Sequence, residues 1–307
     1  MVGLLFPGQG SQFVGMGRDL AERFPEARAV FEAADDALGT DLSRIAWTGP
    51  DDELTATRNA QPAILTHSVA VLRVVRERVG DVAMAAGHSL GEFTAYIAAG
   101  ALSFEAGVRA VRRRGELMYE AGLRRPGTMA AVLGLGDGAV EAACRDASTV
   151  DSVCVPANFN APSQVVISGD VAAVERAMEG ARQAGAKRVI PLNVSGAFHS
   201  PLMEEAEDGL RAYLDQAALD EPGFPVVSNV TASPVETAVE AQRLLVRQLT
   251  SPVRWASSMR TMVEAGVSQF LELGPGNVLT GLMRRIERAA EVTTLGAADQ
   301  LTSYLES

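Results

Sequence analysis

The sequence predicts an α/β protein, a parallel sheet covered by helices with a smaller second unit inserted into it. Three observations carry that expectation. Short apolar runs bounded by glycine or proline alternate with longer stretches of helical period. A glycine-flanked serine, Gly87-His88-Ser89-Leu90-Gly91, sits where one such apolar run hands over to a helical stretch. From about residue 128 to residue 193 the order changes to strand, helix, strand, strand, helix, strand.

The first strand is expected over residues 2–6, apolar throughout and stopped by Pro7-Gly8. The glycine-rich loop Pro7 to Gln12 follows, then helices near 17–23 and 25–38 and a long one over 60–79. A buried strand over 82–87 leads into helices over 92–99 and 104–120, and Gly127 breaks the pattern. The inserted unit then reads as strand 129–133, helix 138–147, strands 152–156 and 164–168, helix 171–184 and strand 188–192, the ferredoxin-like order. The parallel sheet resumes over 225–228 and 269–273, where Glu272-Leu273-Gly274-Pro275-Gly276 ends a strand and opens a last helix. The expected division is a large subdomain of residues 1–127 and 194–307 and a small one of residues 128–193.

Composition narrows the function classes. At 307 residues, 47% hydrophobic and 21% charged, with mean hydropathy +0.09, the chain has enough apolar surface to build a substantial core. Its net charge of −11 argues against nucleic acid, whose affinity comes largely from neutralised phosphates. Lys187 is the only lysine among 27 basic residues, and there is no G-x-x-x-x-G-K-[ST] loop, which excludes a Walker-type nucleotide site. Two cysteines, Cys144 and Cys154, and three histidines offer no zinc-ligand spacing, so no metal and no cofactor is expected, and both thiols read as core residues of a reducing compartment. No basic leader or run of about 18 apolar residues is present; the expectation is a cytoplasmic monomer without a membrane partner.

The chemistry concentrates in a few positions. In a strand–turn–helix context G-x-S-x-G is a nucleophile elbow, whose small flanking residues let the Ser89 hydroxyl stand above the strand ends. From the pentapeptide alone, a helix-capping serine between tight-turn glycines reads equally well. A hydroxyl needs a base. His67 lies in an apolar helix and reads as a core residue, while His88 adjoins Ser89 and points away from it. That leaves His199, on the irregular loop Gly196-Ala197-Phe198-His199-Ser200-Pro201, with no neighbouring acid to orient it. Arg114 falls on the inward stripe Val108, Val111, Met118 of its helix, where a guanidinium needs either an internal carboxylate or an anionic ligand. The loop Pro7 to Gln12 fails G-x-G-x-x-G at Phe13 and is better placed to bring backbone N–H groups to an oxyanion.

Together these motifs resemble, in order and over nearly the whole chain, the malonyl-CoA:acyl carrier protein transacylases and the acyltransferase domains of polyketide synthases. The resemblance rests on Phe6 to Gln12, Gly87 to Glu92, Arg114-Gly115, Ala157-Asn158-Phe159-Asn160, the His199 loop and Glu272 to Gly276. It implies an α/β-hydrolase-like core with a ferredoxin-like insert, and a ping-pong transfer of malonyl from malonyl-CoA to the phosphopantetheine thiol of an acyl carrier protein. Ser89 would carry the acyl group and His199 would be base and then acid. The N–H groups of Gln9 and Leu90 would form the oxyanion hole, and a backbone carbonyl at Gln248 would orient the histidine. Arg114 would hold the malonyl carboxylate, with Met118, Phe198 and Asn160 lining the substrate site; in Asn-x-Asn-x-Pro, Asn160 also reads as a turn-stabilising amide.

Phe198 before the base and Leu90 after the serine resemble malonyl-specific members, whereas Gly196 departs from the histidine common in polyketide-synthase domains. An acyl hydrolase on the same scaffold would use the same serine and histidine without needing Arg114, and a non-catalytic docking module would need neither. An acidic carrier would meet this chain at a local basic patch, for which Arg124-Arg125, Lys187-Arg188 and Arg284-Arg285-Arg288 are the candidates.

Overall fold

In the computed structural model, which describes residues 1–307 throughout, ten strands form two sheets. The strands are β1 (Val2–Phe6), β2 (Val82–Gly87), β3 (Gly127–Leu133), β4 (Cys154–Ala161), β5 (Gln164–Asp170), β6 (Arg188–Pro191), β7 (Val226–Val227), β8 (Pro234–Val235), β9 (Gln269–Leu273) and β10 (Glu291–Leu295). The first sheet has the order β10-β9-β1-β2-β7-β8 and is parallel except for the closing β7/β8 pair. β1 is buried along its whole length, as expected of an apolar strand covered on both faces. The second sheet, β4-β5-β3-β6, is antiparallel, and its chain order with the helices Asp137–Ala147 and Val171–Gln183 is βαββαβ.

Two expected strands, β4 and β7, differ from those observed, and two observed strands, β8 and β10, were not expected. β4 begins later and runs on to Ala161, because Asn158 and Asn160 look like turn residues in sequence but lie in a strand with two register shifts. β7 shrinks to two residues. β10 was not anticipated: its residues alternate in burial at the sheet edge, and its apolar content is too low to stand out.

The long helix Thr57–Val79 is buried on all sides between residues 59 and 72, polar residues such as Gln61, Thr66 and His67 included. His67 lies within it, fully buried, with Nε2–H donating to the Gly296 carbonyl at 2.9 Å. Burial lowers its pKa to about 4. The unfolded chain, titrating near 6.5, therefore binds the proton first, and stability is lost as pH falls from about 6.5 towards 4. A wild-type protein is expected to lose about 2–3 kcal/mol more than His67→Gln between pH 7.5 and 4.5. Denaturant melts of the two at both pH values measure it; parallel losses would place the acid sensitivity in other groups.

The antiparallel sheet is bonded to the segment before the helix Trp255–Glu264, which lies outside both sheets, and it shares a core with the parallel one. The Phe159 N–H donates to the Val253 carbonyl at 2.9 Å, and the Val253 N–H donates to that of Ala157 at 2.8 Å. Met129, Ala157 and Val166 of the antiparallel sheet belong to the same continuous core as Leu4 and Phe6 of the parallel one. Cys144 and Cys154 are both buried in the smaller core between that sheet and its helices, as free thiols 3.7 Å apart. No helix is long and apolar enough to cross a membrane.

At the carboxyl end of β9, Glu272 is buried and reaches forward to the helix Val278–Ile286. Its carboxylate accepts the N–H groups of Leu279 and Thr280 at 2.9 and 2.7 Å, stabilising that N-terminus. Gly274 sits at φ 150°, and a side chain there would meet Pro7 at 2.5 Å. The motif Glu272 to Gly276 thus seats the loop that follows β1.

Candidate active site

β2 ends at Gly87, and the chain turns sharply into the helix Gly91–Ala98. Ser89 occupies the turn at φ 52°, a left-handed conformation unusual for serine. The flanking glycines are sterically required: a Cβ on Gly87 would lie 1.9 Å from the Gly91 backbone, and one on Gly91 2.3 Å from the Phe6 carbonyl oxygen. Asn229, just beyond β7, holds the turn shut. Its Oδ1 accepts the Ser89 N–H at 2.7 Å and its Nδ2 donates to the Gly87 carbonyl at 2.8 Å.

His199 reaches over this turn from its loop, itself at φ 56°. The Ser89 hydroxyl lies 2.8 Å from Nε2, while Nδ1 lies 2.8 Å from the Gln248 carbonyl oxygen. A carbonyl can only accept, so Nδ1 carries the proton and Nε2 is free to take one from Ser89. Burial, reinforced by the charge of Arg114, lowers the His199 pKa to about 3, leaving the imidazole neutral at ordinary pH.

Arg114 is 1% exposed, at the centre of the helix Phe104–Arg124. Its guanidinium donates to Gln61 Oε1 and Gln248 Oε1, both at 2.8 Å, and to Ser89 Oγ at 3.0 Å. No carboxylate lies within ion-pair distance of it; the buried Glu92 acts on it at longer range, across the Gln248 amide. Burial lowers its pKa to about 10, which still leaves it charged, and Nε has no partner. A buried guanidinium held only by amides and a hydroxyl is set to receive an anion.

These groups open into a cavity of about 330 Å³ between the two sheets, lined by Gln9, Leu90, Met118, Asn158 and Phe198 among others. Neither the Gln9 nor the Leu90 N–H donates to a backbone or side-chain acceptor, and a side chain on Gly8 would strike the His88 carbonyl 2.5 Å away, so the first loop lies directly against the elbow. Asn160 stands behind the wall: its Oδ1 lies 2.8 Å from His88 Nε2, and His88 packs on Trp255. Asn158, two residues earlier, lines the cavity instead.

Sequence reasoning missed Asn229, Gln61 and the Gln248 side chain. Only Asn229 had a signal, a lone amide directly after an apolar strand. Gln61 and Gln248 lie on helical segments far from the elbow in sequence, and only the fold brings them to Arg114.

Comparison with known proteins gives one consistent answer. Residues 4–300 match the family model described as acyl transferase domain. The chain is 44% identical over 304 residues to the malonyl CoA-acyl carrier protein transacylase of Bacillus subtilis (strain 168), covering 99% of this chain and 95% of that one. Among solved structures it is similar to a malonyl-transacylase in complex with its type II PKS acyl-carrier protein, with TM-score 0.95, 42% identity and 99% of each chain covered. It is likewise similar to an acyl carrier protein S-malonyltransferase from Vibrio cholerae, with TM-score 0.94, 41% identity and coverage of 98% and 99%.

Proposed function

The chain belongs to the acyl transferase domain family, and from that premise we propose that it moves malonyl from malonyl-CoA to the phosphopantetheine thiol of an acyl carrier protein. The observation that carries this reading is the Ser89 hydroxyl, hydrogen-bonded at once to a neutral base, His199, and to a buried cation without a direct carboxylate contact, Arg114. A nucleophile touching its base is the requirement of any serine acyl transfer; a cation beside it selects an acyl group that ends in a carboxylate.

In the first half-reaction Ser89 Oγ attacks the malonyl thioester while His199 Nε2 takes the hydroxyl proton. The tetrahedral oxyanion is met by the Gln9 and Leu90 N–H groups, the latter at the start of a helix. Collapse breaks the C–S bond, and CoA leaves as the thiol with the proton from His199. In the second half His199 takes the proton of the carrier's thiol, the sulfur attacks the malonyl-serine, and Ser89 leaves with its proton restored. The Gln248 carbonyl holds the imidazole throughout and stabilises its positive charge, the task a carboxylate performs in a triad.

In this reading the large subdomain, residues 1–127 and 194–307, is an α/β-hydrolase-like core, and residues 128–193 are a ferredoxin-like subdomain that roofs the cavity. Phe198 and Met118 narrow the acyl pocket. A side chain at Gly196 would come within 3.3 Å of the Phe198 ring, so the glycine keeps that ring in place and favours malonyl over α-methylated extenders. Asn160 acts through His88. The acidic carrier docks at Lys187-Arg188 or at Arg284-Arg285-Arg288, because Arg124 and Arg125 are already paired with Glu205 and Asp170. The enzyme works in the cytoplasm.

Intact-protein mass after brief incubation with malonyl-CoA, methylmalonyl-CoA or acetyl-CoA, with and without a phosphopantetheinylated carrier, tests the whole reading. A malonyl adduct that discharges onto the carrier is expected, in preference to the other two. An adduct lost to water would make the protein a hydrolase.

A further inference from the structure

Beneath the elbow lies a buried carboxylate that the reaction above does not use. Glu92, on the helix Gly91–Ala98, is fully buried. Its Oε2 accepts from Gln248 Nε2 at 2.6 Å and from the Asn229 N–H at 3.2 Å, while Oε1 has no partner. The Gln248 amide is therefore pinned at both ends. Nε2 donates to Glu92 and to the Ser89 carbonyl at 3.0 Å, and Oε1 accepts from Arg114 at 2.8 Å.

An amide has two nearly isosteric orientations, and what surrounds it chooses between them. The flipped orientation would aim an NH₂ at a guanidinium, donor against donor, and an oxygen at two oxygens. Arg114 disfavours one end of that arrangement and Glu92 the other. When a malonyl carboxylate arrives, the guanidinium plane must stay fixed, and the acceptors that fix it apart from the reacting Ser89 hydroxyl are Gln248 and Gln61.

We propose that Glu92 is a positioning residue for malonyl selectivity: by accepting from Gln248 it fixes the amide that aims Arg114 at the acyl carboxylate. What the site needs is an acceptor at Oε2, not a negative charge. Burial raises the Glu92 pKa to about 7 against the pull of Gln248, Asn229, Arg114 and Ser228, so the neutral acid, which accepts at the same oxygen, is well populated in the working enzyme. The inference rests on the proposed malonyl transfer and extends it from the residues that touch substrate to one that does not.

The test is the initial rate of acyl-Ser89 formation, by intact mass, from malonyl-CoA and from acetyl-CoA. Glu92→Gln keeps the acceptor and is expected to stay within about threefold of wild type for both. Glu92→Leu removes it, and malonyl loading is expected to fall by about 10- to 100-fold, with acetyl loading falling far less. Gln248→Met retains the carbonyl that holds His199 and is expected to reproduce the malonyl-selective loss even if Glu92→Leu does not fold. The double variant should be no worse than Gln248→Met alone, as two residues of one chain of contacts require. Equal loss of both acyl groups in Glu92→Leu, a Glu92→Gln variant as poor as Glu92→Leu, or additive losses would each overturn the proposal. Absence of any malonyl adduct on the wild type would overturn instead the transferase reading beneath it, and that is seen before any variant is made.

Discussion

Ser89→Ala is expected to leave a folded protein that acquires no acyl group and transfers none, a loss of at least about 10³-fold in transfer rate. The expectation follows from the division of labour at the elbow. The backbone of residue 89 is held by Asn229, through the Ser89 N–H and the Gly87 carbonyl, and neither contact involves the hydroxyl. Alanine therefore keeps the turn. The hydroxyl makes only the contacts to His199 Nε2 and Arg114 Nη2, and Arg114 retains both of its amide acceptors without it. Removing Oγ thus deletes the attacking atom at little cost to stability. The check is carrier acylation followed by mass, beside a thermal melt; transfer persisting near the wild-type rate would mean that another atom carries the acyl group.

Arg114→Ala should be more selective in its damage. Truncating one partner of a buried charged contact costs about 3–5 kcal/mol, so kcat/KM for malonyl-CoA is expected to fall by about 10²- to 10³-fold or more. Acetyl-CoA offers no carboxylate, and its loading should lose only what the contact from Arg114 to Ser89 Oγ contributes. The variant also leaves the Gln61 and Gln248 side-chain oxygens without their donor in a dry interior, so a lower melting temperature is expected alongside. The measurement is the ratio of malonyl to acetyl loading, read on protein shown to be folded. Equal losses for the two acyl groups would remove the carboxylate-binding role from Arg114.

How much of this was readable in the chain itself depends on the length scale of the cause. The elbow is local: strand, two glycines, serine and helix all lie between Val82 and Ala98, and the steric reasons for Gly87 and Gly91 act within that window or against β1. Arg114 could be placed inward because helical spacing is also local, and its helix needed only extension to residue 124. His199 emerged by elimination among three histidines. By contrast, the partners of Arg114 and Glu92, namely Gln61, Gln248 and Asn229, lie far from them in sequence, each an unremarkable polar residue in its own neighbourhood. The same reason hid the true extent of β4, whose asparagines obey no strand propensity and owe their conformation to β5 and to Val253.

The bridge between β4 and Val253 bears on how chains of this family can be recombined. Its bonds, from Phe159 to Val253 and from Val253 to Ala157, run from backbone to backbone and ask nothing of the side chains they join. A segment spanning residues 128–193 taken from a homologous chain is expected to keep these two bonds where the strand keeps its length, and to seat where it also preserves the apolar packing of Met129, Ala157 and Val166 and the contact from Asn160 to His88. Met129, Asn158 and Leu192, which face the acyl cavity, would travel with such a graft, while Ser89, His199 and Arg114 would stay with the host. The candidate catalytic groups and that wall of the cavity thus lie on different stretches of the chain, and a chimera crossing near residues 128 and 193 is expected to exchange the wall and keep the groups.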